Sequence, residues 1–260
     1  MNDILSAENV CFGYPDSEGP LLKDFSFSLY NNDFTGIIGP SGAGKSTLFR
    51  VLSGFVKLSS GNVKLKSLNI RSMNNFERAK IMAIVPQLFY SPVLYTVEQM
   101  VEMGRISRCS KLSGLTKKDK IVIAEALEYV GMSGFSRRLF NSLSGGERQR
   151  AMIAIALAQE PEILLLDEPT ASLDIAMKVH IMSLLKKLNY DRKIAIAVIT
   201  HDIQLAAGFC NRLVLMGNGR IVSDGTIEQI LRPELISSVY KCEAEITINN
   251  GRFFISVRSP

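Results

Sequence analysis

Nine consecutive residues constrain this chain more than any other feature: Gly39-Pro40-Ser41-Gly42-Ala43-Gly44-Lys45-Ser46-Thr47. They match the pattern G-x-x-x-x-G-K-[ST], a glycine-rich turn that follows a strand and opens a helix. The flanks agree. Residues 34–38 read as an apolar strand, and from 45 to 52 Leu48, Phe49, Val51 and Leu52 line one helical face before Gly54 offers a stop. Glycines let successive backbone N–H groups turn inward on phosphate oxygens, and the helix N-terminus adds partial positive charge. In such a P-loop, Lys45 reaches the β- and γ-phosphates and Ser46 binds Mg²⁺.

A nucleotide site of this kind needs a second metal anchor. Four aliphatic residues at 163–166 lead directly into Asp167 and Glu168. Residues 162–166 and 193–200 are mostly apolar, at both parities, as strands of a parallel sheet covered on both faces are. Such strands deliver ligands at their carboxyl ends. Asp167 is therefore the expected Mg²⁺ partner, directly or through water, and Glu168 is placed to accept a proton from an attacking water. These motifs alone fit either an ATPase or a GTPase.

Elsewhere residues 4–10 and 25–29 alternate apolar with polar, predicting an antiparallel sheet. From about 87 to 160 the pattern turns helical, with segments at 96–103, 117–130 and 147–159. Residues 212–224 read as a hairpin about Gly217-Asn218-Gly219, and 244–257 as another about Asn249-Asn250-Gly251. The expected organisation is a single domain over 1–260. An α/β core with its antiparallel portion occupies 1–87 and 160–260, interrupted by a helical subdomain at 88–159. The longest apolar runs, 163–166 and 194–199, fall far short of the ~18 residues that span a bilayer. Four scattered cysteines lack metal-ligand spacing, and a net charge of +5 without a basic stripe carrying interleaved aromatics disfavours nucleic-acid binding.

Leu143-Ser144-Gly145-Gly146-Glu147-Arg148-Gln149-Arg150 narrows the class. It resembles the signature of ABC ATPases throughout its length, and the other motifs of that family follow in order from about residue 5 to 239. The resemblance implies a RecA-like P-loop NTPase core with an inserted helical subdomain, binding ATP with Mg²⁺. It implies that Tyr14 stacks on adenine, that Gln87 touches Mg²⁺ and the attacking water, and that His201 bonds the γ-phosphate. It also implies that Asp174, in Ser172-Leu173-Asp174, crosses a dimer seam. Ser144, Gly145 and Gly146 precede a helix expected to begin near Glu147, making a second phosphate-binding helix start. In the family two chains meet head to tail, so that each signature closes on the ATP held by the other chain's P-loop. One departure stands out: Ile155 replaces the arginine common in the helix after the signature.

Val85-Pro86-Gln87, Thr96-Val97-Glu98 leading to Gly104-Arg105, and the tail from Glu228 to Tyr240 look most like the importer ATPases for iron–siderophore, haem and vitamin B12 uptake. The usual Pro-His after Gly-Arg is absent, since Ile106-Ser107-Arg108 stands there. That resemblance implies a homodimer on the cytoplasmic face of the membrane, with separate permease subunits and, indirectly, a substrate-binding protein. It also predicts a groove near residues 87–103 that receives a permease helix. The alternative is a soluble ABC ATPase that remodels a protein complex, as in iron–sulfur assembly. A module that holds ATP without turnover is disfavoured by Glu168 and His201.

Overall fold

The computed structural model describes residues 3–15, 19–87, 89, 93–109 and 114–258. By internal contacts it divides into two compact units, Met1–Met73 with Lys186–Pro260, and Asn74–Leu185.

The first unit begins with alternation. β1 (Asp3–Phe12) and β2 (Leu22–Tyr30) pair antiparallel, with Phe25, Phe27 and Leu29 of β2 turned into the core between exposed or half-buried neighbours. β3 (Phe34–Ile38) is buried at every position and leads into the glycine-rich turn and α1 (Lys45–Leu52). β4 (Ser60–Leu65) returns antiparallel to β1, Leu65 opposite Leu5, and the short β5 (Leu68–Asn69) closes that sheet in the order β2-β1-β4-β5.

The second unit follows without a break. It comprises α2 (Asn75–Ile81), β6 (Met82–Val85), α3 (Val97–Met103), α4 (Lys117–Tyr129), α5 (Gly145–Ala158), β7 (Ile163–Asp167) and the start of α6 (Ile175–Arg192). Four of its helices start with one device. Asn74, Thr96, Thr116 and Ser144 each accept from the N3 backbone N–H of α2, α3, α4 and α5, whose N3 side chain returns to the cap residue's N–H. Each reciprocal pair satisfies two backbone donors that a helix start otherwise leaves open. β6 and β7 pair in parallel, with Val85 opposite Leu166. α2 and β6 lie ahead of residue 88 and belong to this unit.

A buried charge cluster ties the helix ends of this unit together. Arg105 is 3% exposed, and its Nε donates to Asp119 Oδ1 at 2.8 Å. Its NH1 donates to Ala158 O at 2.6 Å and Glu160 Oε2 at 2.7 Å. One guanidinium thereby joins the end of α3, the first turn of α4 and the end of α5. The approach of α3 to α5 needs Gly104, where a Cβ would lie 2.3 Å from the Ile155 carbonyl oxygen. Ile155 itself is half-buried among almost wholly buried neighbours, so the apolar replacement fits its packing.

The chain then completes the first unit with β8 (Ala195–Ile199), α7 (Ile203–Phe209), β9 (Arg212–Gly217), β10 (Arg220–Gly225), α8 (Ile227–Ile230), α9 (Pro233–Tyr240), β11 (Glu243–Asn249) and β12 (Arg252–Arg258). β3 runs parallel between β8 and β9, Ile37 facing Ile199 on one side and Val214 on the other. β10 adds antiparallel to β9 through the expected turn, and β11 with β12 makes the expected terminal hairpin. Among the described residues, no helix is long and apolar enough to cross a membrane.

Candidate nucleotide site

In the first unit the carboxyl ends of β3 and β8 lie side by side, because Ile37 and Ile199 share a register and Thr200 N donates to Ile37 O at 3.2 Å. The glycine-rich loop leaves β3 here, and His201 leaves β8. Gly39 adopts φ 152°, and a Cβ there would sit 2.3 Å from the Met216 carbonyl oxygen of β9. Only glycine makes this exit turn without displacing backbone. Lys45 is buried, with Nζ donating to Gly39 O at 2.8 Å and Pro40 O at 2.9 Å. The ammonium is thus folded into the loop that a phosphate would fill, while Ser41, Gly42 and Ser46 are exposed. His201 is exposed just ahead of α7, whose Asp202 caps Leu205 N at 2.9 Å. Tyr14 is half-buried, its ring edge-on to Phe12 at 4.9 Å and its hydroxyl accepting from Arg50 NH1 at 3.2 Å. One ring face of such an anchored tyrosine suits stacking on a base.

In the second unit β7 ends at Asp167, one residue further along than the sequence pattern suggested. Glu168 follows at φ 48°, a left-handed conformation uncommon for a side-chain-bearing residue. Its Oε2 accepts from Gln87 Nε2 at 2.7 Å, so two residues singled out separately in the sequence are in contact. Asp174 caps α6, with Oδ1 accepting from Met177 N at 2.8 Å. Helix α5 begins at Gly145, two residues before the expected start, because Ser144 is its N-cap. Gln87, Gly145, Gln149, Ser172 and Leu173 line one cleft of about 210 Å³ in this unit.

A family profile described as ABC transporter matches residues 22–171. This chain belongs to the ABC transporter family. The iron(3+)-hydroxamate import ATP-binding protein FhuC of Bacillus subtilis (strain 168) is 37% identical over 242 residues, 93% of this chain and 89% of that one. A metal-chelate type ABC transporter solved in an inward-facing conformation superposes with a TM-score of 0.84 at 29% identity, over 99% of this chain and 97% of that one. A bacterial ABC transporter cassette solved as a dimer superposes with a TM-score of 0.76 at 30% identity, over 86% of this chain and 98% of that one. The fold is that of an ABC ATPase cassette, an α/β P-loop NTPase with antiparallel sheets and a helical part, and ABC ATPases bind ATP.

Magnesium prefers hard oxygen ligands and retains several waters. Oxygens of that kind occur in each unit taken by itself: the exposed Ser46 hydroxyl in the first, and the Asp167 carboxylate at a strand end and the Gln87 carboxamide in the second. The helical unit of this ABC cassette also carries an apolar groove of about 480 Å³, lined in part by Phe76, Tyr95, Glu102, Met103, Ile106 and Leu115. Ile106 is 58% exposed there and Phe76 48%. The groove overlaps the expected stretch 87–103 but runs on to residue 115, while residues 88 and 90–92 lie outside the described ones. Sequence reasoning missed Glu147, whose carboxylate accepts from Ser144 N at 2.8 Å. The spacing S-x-x-E ahead of an apolar helix was the signal for it.

Proposed function

We propose that the chain is the ATP-hydrolysing subunit of an ABC importer, powering uptake of an iron chelate, haem, cobalamin or similar cargo through a separate permease. The observation that carries this reading is the presence of two phosphate-gripping helix starts in one chain, at Lys45 on α1 and at Ser144 on α5. A head-to-tail homodimer uses both, each ATP being held by the Lys45 loop of one copy and the Ser144–Gly146 corner of its twin. The dimeric state of the cassette superposed above supports this arrangement. Two buried ATP molecules then join the subunits, and hydrolysis separates them through repulsion between ADP and phosphate.

Each residue has a part in that cycle. Gly39 to Thr47 wrap the phosphates, Lys45 supplies positive charge and Tyr14 stacks on the base. Ser46, Asp167 and Gln87 would hold Mg²⁺, which neutralises developing charge on the phosphates when bound. Glu168 takes the proton of the attacking water, and His201 hydrogen-bonds the γ-phosphate and orients that water. Asp174 stiffens the start of α6 where the seam forms. Gln87 Nε2 holds one oxygen of the Glu168 carboxylate and so orients it.

The apolar groove of the helical unit, with large side chains open to solvent, fits a cytoplasmic helix of the permease. The cassette would then sit peripherally on the cytoplasmic face, and a substrate-binding protein would choose the cargo on the other side. FhuC, reported above, is an import ATP-binding protein, which favours this over a soluble remodelling ATPase for iron–sulfur assembly.

Substituting Glu168→Gln tests the chemistry. Removal of the general base should slow hydrolysis by about 10²–10⁴-fold while ATP still binds. ATP should then trap a dimer visible by size-exclusion chromatography. Parent-like turnover in the variant would mean that another group activates water. Purification from solubilised membranes tests the partner: recovery of a polytopic membrane protein supports transport, and recovery of soluble partners alone defeats it.

A further inference from the structure

The phosphate-gripping corner at Ser144 is held by a residue that no part of the cycle above uses. Ser144 lies at φ −61°, ψ 166°, with its N–H donating to Glu147 Oε2 at 2.8 Å and its Oγ accepting from Glu147 N at 3.4 Å. Helix α5 starts at the next residue, so the N–H groups of Gly145 and Gly146 have no intrahelical acceptor. The corner therefore offers an arriving anion the Ser144 hydroxyl and two glycine N–H groups. It withholds a fourth donor, the Ser144 N–H, which Glu147 occupies.

Resting on the head-to-tail dimer reading, we propose that Glu147 is the positioning residue of that corner, its carboxylate holding Ser144 in the backbone conformation that meets the γ-phosphate of the opposing subunit. Three observations converge on it. The first is the reciprocal pair itself, in which the Glu147 carboxylate takes the Ser144 N–H while the Glu147 backbone N–H reaches the Ser144 Oγ. The second is what surrounds it. A Cβ on Gly146 would meet Met177 of α6 within 2.8 Å, and one on Gly145 would meet Leu173 at 3.4 Å, so the glycines are backed by the segment that Asp174 caps. Behind the corner there is little room. The third is charge. The Ser144 N–H and then its hydroxyl hold the Glu147 carboxyl below the usual carboxylate range, so it acts as a fixed acceptor. Arg138 NH1 stands 4.0 Å from its other oxygen.

An anion beside an incoming triphosphate is electrostatically unwelcome, so the role must lie in acceptor geometry and not in charge. A carboxamide at position 147 keeps the geometry, because the reciprocal pair accepts either residue. Glu147→Ala removes the carboxylate that accepts the Ser144 N–H and lets that N–H turn away, while the backbone N–H at 147 still reaches the Ser144 hydroxyl.

The test uses the full chain in the Glu168→Gln background, reading the concentration for half-maximal ATP-dependent dimerisation by analytical ultracentrifugation. Glu147→Ala should weaken association roughly fivefold per site, the scale of a lost cap, and about 25-fold per dimer because both seams change. Glu147→Gln should associate as well as the background or more tightly. Mg-ATP affinity of the monomer, measured by calorimetry below the dimerisation range, should be unchanged in both. Glu77→Ala, which breaks the same kind of pair at α2, is the control for a merely structural loss and should leave dimerisation alone. Normal association of Glu147→Ala overturns the proposal, as does a glutamine variant as weak as the alanine one or a Glu77→Ala effect of equal size. If Ser144→Ala itself dimerises normally, the head-to-tail dimer reading has failed instead.

Discussion

Asp119→Ala should be among the most damaging substitutions outside the nucleotide site, and the size of the effect follows from what the carboxylate holds. Its Oδ2 accepts from Thr116 N at 2.9 Å and Thr116 Oγ1 at 2.6 Å, closing the start of α4. Its Oδ1 takes Arg105 Nε at 2.8 Å, with Arg105 NH2 also at 2.8 Å. Loss of the cap costs about 1 kcal/mol. Stranding a buried guanidinium costs about 3 kcal/mol, the low end for a broken buried pair, because Glu160 and the Ala158 carbonyl remain. The single variant should therefore lose about 4 kcal/mol. Arg105→Met should lose less, about 2.5 kcal/mol, since Asp119 keeps both Thr116 donors. Once the partner charge is gone, most of the second loss disappears, so the double variant should sit near 3.5 kcal/mol, a coupling of about 3 kcal/mol. Urea midpoints for the four proteins measure the cycle, and amide exchange in α4 and α5 shows whether the loss is confined to the helical unit. Additive losses would refute the idea that the cluster acts as one unit, and a loss below about 1 kcal/mol for Asp119→Ala would refute its burial cost.

Acid should act through the same carboxylate. The Thr116 hydroxyl and N–H, and then Arg105, lower Asp119 from 3.8 to about 2, so its stabilisation is complete above about pH 4 and fades as pH falls to 2. The gap between the urea midpoints of the parent and Asp119→Ala should narrow over that window, and a constant gap would remove Asp119 as the cause. Lys45→Ala should weaken Mg-ATP binding by calorimetry on the order of 100-fold, the worth of two charge-assisted hydrogen bonds, and unaltered affinity would detach the lysine from the phosphates. Gly39→Ala forces a Cβ against the Met216 carbonyl at a φ alanine avoids, and should cost on the order of 3 kcal/mol in urea unfolding. Parent-like stability there would mean that β9 yields more easily than its paired register suggests.

What could be read from the chain alone was whatever depends on residue type at short spacing. The loop from Gly39 to Thr47, the aliphatic run ending in Asp167-Glu168 and the signature from Leu143 to Arg150 each carry their chemistry within nine residues. A backbone that must approach phosphate needs glycines in fixed order, and buried strands need unbroken apolar runs. The terminal hairpins were equally legible, because Asn-Gly turns announce themselves. Helix starts were legible in principle too, since Asn74, Thr96, Thr116 and Ser144 each have a Glu, Gln or Asp partner three residues on. Ser144 and Glu147 show how easily that pattern is passed over inside a better-known motif. Tertiary structure alone decided the rest. Nothing in the sequence pairs Arg105 with Asp119 and Glu160, 14 and 55 residues away, because an ion pair buried between helix ends leaves no periodic trace. Nor does it bring Gln87 onto Glu168 across 81 residues. β6, four residues long, became a strand only by lying against β7. Local rules write the phosphate-binding elements, while long-range packing sets which polar side chains end up near enough to hold one another.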